Sequence, residues 1–186
     1  MVNVLKSLKF HKNWVIALGI SFCFVLLAIV GAGTKSAEAA VDIDPAAIYN
    51  IIAKHSGKAL DVRNGSSDDG AAIQTWTYNN RGNQQWRIVP TGDGFYKIVA
   101  VHSGKVLDVA DGSYANGAYI NQWSDNGGNN QRWSIEPLGD GSYKITAKHS
   151  GKVLDVKNGR TDDPAFLHQW PFQNTDNQKW FLQRAN

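Results

Sequence analysis

From residue 49 onward the apolar positions fall in short runs, such as Tyr49-Asn50-Ile51-Ile52-Ala53, Ala71-Ala72-Ile73-Gln74-Thr75-Trp76 and Gln85-Trp86-Arg87-Ile88-Val89. Gly, Asn, Asp and Ser separate the runs, and these are the residues that close tight turns. No stretch of this part carries an apolar stripe at helical spacing over a useful length, so the pattern predicts an all-β domain of brief strands. The runs also repeat. Tyr49, Tyr96 and Tyr143 stand 47 residues apart, and the same interval links Asp61, Asp108 and Asp155, then Trp76, Trp123 and Trp170, then Trp86, Trp133 and Trp180. Sixteen positions are identical in all three copies without a gap, and Gly92-Asp93-Gly94 and Gly139-Asp140-Gly141 mark the joints. The domain therefore divides into repeats 49–95, 96–142 and 143–186, each of about four strands, or about 12 in all.

Three copies without distinct caps suit neither a propeller nor an open solenoid; they suit a closed threefold barrel, which also leaves no sheet edge exposed. Threefold packing asks for the same apolar residue in each copy. Trp86, Trp133 and Trp180, with Tyr49, Ile51, Leu60, Val62 and their equivalents, are the expected core.

The segment before the repeats reads differently. Lys6, Lys9 and Lys12 precede an uncharged run from Asn13 to Thr34, followed by Ala37-Glu38-Ala39, which is the layout of an export signal cleaved after Ala39. The expected product is a secreted protein with a short extension, 40–48, ahead of the repeats. The uncharged run of 22 residues is also long enough to cross a bilayer, so an uncleaved membrane anchor is the alternative. Phe22 is too bulky beside Cys23 for a lipid-attachment signal.

Loss of the leader changes the chemistry. Cys23 is the only cysteine, so the mature domain has no disulfide and relies on packing and hydrogen bonds. With Lys6, Lys9, Lys12, Lys35 and Glu38 gone, 19 basic and 16 acidic residues become 15 and 15. Nucleic acid is not an expected partner, because a sequence-independent grip on phosphates needs a basic surplus.

Each repeat ends in Gln-x-Trp, as Gln84-Gln85-Trp86, Gln131-Arg132-Trp133 and Gln178-Lys179-Trp180, and each carries Leu-Asp-Val about two dozen residues earlier. With the three-unit layout, this resembles the ricin B-type β-trefoil lectins, which include the family 13 carbohydrate-binding modules of bacterial glycosidases. The resemblance covers essentially all of the mature chain. It implies a β-trefoil, glycans or polysaccharides of galactose type or of plant or bacterial origin as partners, no cofactor and no catalysis. Carried over residue by residue, it implies a sugar site of Asp61, Gln74, Trp76, Asn83 and Gln84 in the first repeat. In the second repeat the matching positions are Asp108, Asn121, Trp123, Asn130 and Gln131, and in the third Asp155, His168, Trp170, Asn177 and Gln178. These residue types suit sugar binding, since an ionised carboxylate accepts hydrogen bonds from sugar hydroxyls, an amide such as Asn83 can donate to sugar oxygens, and Trp76 offers a flat face to a pyranose. Gln84 is implied to hold the carboxylate. Asn121 and His168 depart from Gln74, so the three sites are expected to differ. The family's disulfide positions match Ala59 with Tyr78, Val106 with Asp125 and Val153 with Phe172, where apolar contacts are expected instead.

Other readings of the same residues stand beside these. The Asp61 set could be turn formers, and Trp76, Trp123 and Trp170 could be mostly buried. His55-Ser56-Gly57-Lys58 and its copies at 102 and 149 read as a hairpin turn, since adjacent His and Ser side chains are poorly placed as base and nucleophile; three histidines meeting on the axis to hold a metal are not expected. Asp68-Asp69 and Asp162-Asp163 lack the spacing of a calcium loop. A glycosidase needs two carboxylates across a cleft, whereas the repeated ones lie on separate repeats. A protein-interaction or inhibitor scaffold with degenerate sugar sites is the main competing function. Capture of sulfated polyanions by Lys54, Lys58, Lys148 and Lys152 is a third.

Overall fold

The structure, a computed structural model, describes residues 43–185. The export signal, its cleavage after Ala39 and the anchor alternative lie outside the described residues. Twelve strands follow one another as β1 Tyr49–Ala53, β2 Ala59–Val62, β3 Ile73–Trp76, β4 Trp86–Pro90, β5 Tyr96–Ala100, β6 Val106–Val109, β7 Ile120–Trp123, β8 Trp133–Pro137, β9 Tyr143–Ala147, β10 Val153–Val156, β11 Ala165–Trp170 and β12 Trp180–Arg184. All pairings are antiparallel. β1 joins β4 and β12, β4 joins β5, β5 joins β8, β8 joins β9 and β9 joins β12, which closes a six-stranded barrel. The remaining strands form three hairpins, β2–β3, β6–β7 and β10–β11, one per repeat. The hairpins also touch one another: Phe166 pairs with Gln74, Ala72 with Asn121 and Tyr119 with His168. This is the expected β-trefoil.

Packing follows the repeat. The indoles of Trp86, Trp133 and Trp180 are fully buried, and each N–H donates to the carbonyl of the same repeat's Leu60, Leu107 or Leu154 at 3.1, 3.0 and 3.1 Å. A buried indole combines a large apolar area with one donor, and here neither is left unmatched. Ile51, Ile98 and Ile145, and Leu60, Leu107 and Leu154, complete the shared core.

The His-Ser-Gly-Lys segments are turns, as expected. Gly57 sits at a left-handed φ of 69° that a side chain would strain, and its N–H bonds the Ala53 carbonyl. The histidines act as straps between repeats: the Nε2 atoms of His55, His102 and His149 lie 2.9, 2.9 and 3.0 Å from the carbonyls of Arg160, Ser66 and Ser113. Among the described residues no group of His, Cys, Asp and Glu is placed to hold a metal.

One residue of each pair matching a family disulfide also makes a polar contact to a neighbouring strand. Asn50 Nδ2 donates to the Tyr78 hydroxyl at 3.3 Å, Lys97 pairs with Asp125 at 2.9 Å, and the Lys144 ammonium lies 5.3 Å from the centre of the Phe172 ring. One polar or cationic residue at the start of a barrel strand thus reaches the equivalent position in every repeat.

Candidate functional site

Each site is built where a cap hairpin meets the 3-10 turn that precedes the buried Trp. In the first repeat β2 places Asp61 opposite Gln74 of β3, and the turn Gly82–Gln84 delivers two amides from below. Asp61 is 3% exposed and accepts three hydrogen bonds: from Gln74 Nε2 at 2.9 Å, Asn83 Nδ2 at 2.8 Å and Gln84 Nε2 at 3.0 Å. Burial pushes its carboxyl above the ordinary range while the three amides pull it back. Above it opens a cavity of about 320 Å³ lined by Asp61, Gln74, Trp76 and Asn83 together with Asn64, Gly65, Asn79 and Arg81. Trp76 is 37% exposed, so its ring is a wall rather than core.

Gln84 has no capacity left for a ligand. It is fully buried, its amide donates to Asp61 and to the Thr77 carbonyl at 3.1 Å, and its carbonyl accepts the Asn79 N–H at 2.8 Å. Gln178 does the same around Asp155, Pro171 and Gln173. Gln131, also fully buried, bonds the Ser124 carbonyl and the Asn126 N–H. The Gln of each Gln-x-Trp is a positioning residue.

One expectation is corrected. Asn83 cannot donate to a sugar, because its two amide hydrogens go to Asp61 and, at 3.1 Å, to the Val62 carbonyl. Asn130 and Asn177 are spent in the same way on Asp108 and Val109 and on Asp155 and Val156. What these amides leave over is the Oδ1 acceptor.

The sites diverge at the residue opposite the Asp. In the third repeat His168 Nε2 meets Asp155 Oδ1 at 2.8 Å, and its ring stacks on Trp170 at 5.3 Å and 14°. A carboxylate has only acceptors, so this nitrogen carries the proton; Nδ1 has no partner among the described residues. The cavity here is about 560 Å³ and adds Lys157, Asn158, Gln173 and Thr175 to the expected Asp155, His168, Trp170 and Asn177. In the second repeat Asn121 is too short. It makes no bond to Asp108, its Oδ1 is buried without a partner among the described residues, and it does not line the cavity of about 360 Å³ formed by Asp108, Asp111, Gly112, Trp123, Asn126 and Asn130. With that donor missing, the Asp108 carboxyl is pushed up to about 6, first by burial and then by the charges of Asp111 and Asp69.

The pockets also contain residues outside the expected sets. Asn64, Asp111 and Asn158 stand at φ of 59°, 58° and 59°, a left-handed conformation that short polar side chains tolerate, and each is followed by a left-handed glycine. This places a polar group on the rim of every pocket. A signal existed, since Asn or Asp recurs at this position in all three copies before an invariant Gly. Asp111 also gives the second pocket a second carboxyl group, which the other two pockets lack.

The lysines considered for polyanion binding are tied down. Lys54 pairs with Asp140 and Asp176, Lys58 with Asp163 and Lys148 with Asp93, while Lys152 donates to the Tyr114 carbonyl.

The sequence pattern of the family described as ricin-type beta-trefoil lectin domain-like matches residues 42–123, 83–170 and 129–186. Comparison with curated proteins finds no match. Among solved structures, the designed 3-fold symmetric protein ThreeFoil is 52% identical, with a TM-score of 0.72, covering 73% of this chain and 96% of its own. An exo-β-1,3-galactanase from Clostridium thermocellum is 43% identical, with a TM-score of 0.74 over 77% of this chain, and the match spans only 31% of the enzyme. The Rhizoctonia solani agglutinin is 26% identical, with a TM-score of 0.70, covering 76% and 97% of the two chains.

Proposed function

Because the chain belongs to the ricin-type β-trefoil lectin-like family, we propose that it is a non-catalytic lectin that binds one glycan through up to three repeat-related pockets. The observation that carries this reading is the threefold recurrence of a buried carboxylate, amide-held, on the floor of an open polar pocket walled by a partly exposed Trp. Sugar hydroxyls donate to the remaining lone pairs of Asp61, Asp108 and Asp155 and to the Oδ1 atoms of Asn83, Asn130 and Asn177. The apolar face of the pyranose lies on Trp76, Trp123 or Trp170. A turn-former role alone does not call for an open cavity over each carboxylate.

Galactose-type sugars are the proposed class, guided by the 43% identity to part of a galactanase; other plant or bacterial polysaccharides remain within the chemistry of the pockets. Each shallow site binds a simple sugar weakly, on the order of millimolar, about −4 kcal/mol. Simultaneous engagement of two or three sites by one polysaccharide supplies the useful affinity. The proposal includes export: residues 1–39 direct the chain out of the cell and the lectin acts there. A glycan array probed with residues 40–186 tests the function. Selective binding to galactose-terminated glycans is expected; an array without any bound glycan would overturn it in favour of a protein-interaction scaffold.

A further inference from the structure

The cross-strand pairs place three side chains in a row on one face of the cap in every repeat. The rows run Asp61, Gln74, Phe166, then Asp155, His168, Tyr119, then Asp108, Asn121, Ala72, with the last member of each supplied by a neighbouring repeat. The first two rows end under a lid. The Arg63 guanidinium lies 5.5 Å from the Phe166 ring centre, and the Lys157 ammonium lies 5.1 Å from that of Tyr119. In the Asp108 row the matching pair is Ala72 and Ala110. Neither fills the space, and the shortened Asn121 stands between the gap and Asp108.

A cavity of about 430 Å³ occupies that gap, lined by Gly70, Ala72, Ile73, Ala110, Ile120 and Asn121, with Tyr119 and Phe166 on its flanks. All three repeats contribute. It lies across Asn121 and Ala110 from the sugar pocket: Asn121 is the strand partner of Asp108, Ala110 is followed by Asp111, which lines that pocket, and Gly70 on the cavity's edge packs against the Trp123 ring. The lining is mostly aliphatic and aromatic, and the buried Asn121 Oδ1 is an acceptor without a partner among the described residues. Such a space takes a flat apolar group and not a second hydroxyl-rich ring.

We propose that the second site is a two-part site, in which Asp108 and Trp123 hold a glycoside's sugar while the Ala72–Ala110 cavity takes an aryl aglycone. The first and third sites, closed by Arg63–Phe166 and Lys157–Tyr119, accept the sugar alone. The sugar half of this rests on the function proposed above.

The test is a ¹⁵N NMR titration of residues 40–186, reading each site through the indole N–H of Trp76, Trp123 and Trp170. Methyl β-D-galactoside, p-nitrophenyl β-D-galactoside and free p-nitrophenol are the probes. The aryl galactoside is expected to bind about tenfold more tightly than the methyl galactoside at Trp123, with no such preference at Trp76 or Trp170. Ala72→Tyr with Ala110→Lys rebuilds the lid of the third repeat and should erase the preference while leaving methyl galactoside binding unchanged. Free p-nitrophenol should shift the backbone amides at positions 72, 110 and 121 in the wild type and not in that variant. Equal affinities at Trp123, or a preference that survives the lid, would overturn the proposal. If no galactoside moves any indole, the galactose reading fails by itself, and the p-nitrophenol arm still decides whether the cavity binds an aryl group.

Discussion

His168 Nε2 lies 2.8 Å from Asp155 Oδ1, whereas Asn121, at the same place in the second repeat, leaves Asp108 without that bond. The three sites share one plan and differ in how firmly each carboxylate is held. With its carboxyl near 6, Asp108 is about 90% ionised at pH 7 and about 10% at pH 5. Sugar affinity at the second site is therefore expected to fall about tenfold across that interval, read through the Trp123 indole. The first site should weaken in the same direction.

The same shift has a stability sign. The folded-state value lies above the ordinary 3.8, so between about 3.8 and about 6 the folded state binds more protons than the unfolded state. Asp108 thus makes the fold less stable as the pH rises through that window. Asp108→Asn should flatten the dependence of the thermal midpoint on pH there; an unchanged slope would contradict the assignment.

Gln84 holds Asp61 without facing the pocket. Gln84→Leu leaves the Asn79 N–H and the Thr77 carbonyl unpaired, at a cost of about 1–3 kcal/mol in urea unfolding. It should also weaken sugar binding at Trp76 and leave Trp170 as it was. Weakening at all three sites would point to general loosening of the fold instead.

The Gln-x-Trp tryptophans act through the core. Trp133→Ala removes a fully buried indole and its bond to the Leu107 carbonyl, and should cost about 3–5 kcal/mol, measured by denaturant titration.

Two competing activities are tested on the same sample. With Lys54, Lys58 and Lys148 paired to carboxylates, retention on heparin-agarose should be negligible, and glycan binding should change little between low and physiological salt. Asp108 and Asp111 share a pocket, so p-nitrophenyl β-D-galactoside should be incubated with the protein and absorbance followed; no release of p-nitrophenolate is expected.

Much of this molecule was legible in the sequence because threefold symmetry writes each structural demand three times. Trp86, Trp133 and Trp180 had to be core, and Asp61, Asp108 and Asp155 had to share an environment. What stayed hidden depends on contacts between repeats or on single hydrogen atoms. The row from Asp108 through Asn121 to Ala72 crosses a repeat boundary, so no interval along the chain reveals it. The amide of Asn83 was expected to meet the sugar; only the positions of Asp61 and the Val62 carbonyl show both hydrogens to be taken. The polar contacts of Tyr78, Asp125 and Phe172 escaped for a related reason: their partners differ in every copy, so the repeat carried no common signal.

Sugar binding by three buried carboxylates is the role on which the proposed function depends. Its most direct measurement compares retention of the wild type and of the Asp61→Ala, Asp108→Ala, Asp155→Ala triple variant on galactan-coupled and lactose-coupled agarose, with cooperative thermal unfolding of both checked by circular dichroism. A folded variant that is no longer retained is expected; a folded variant retained as well as the wild type would rule out sugar binding through these carboxylates.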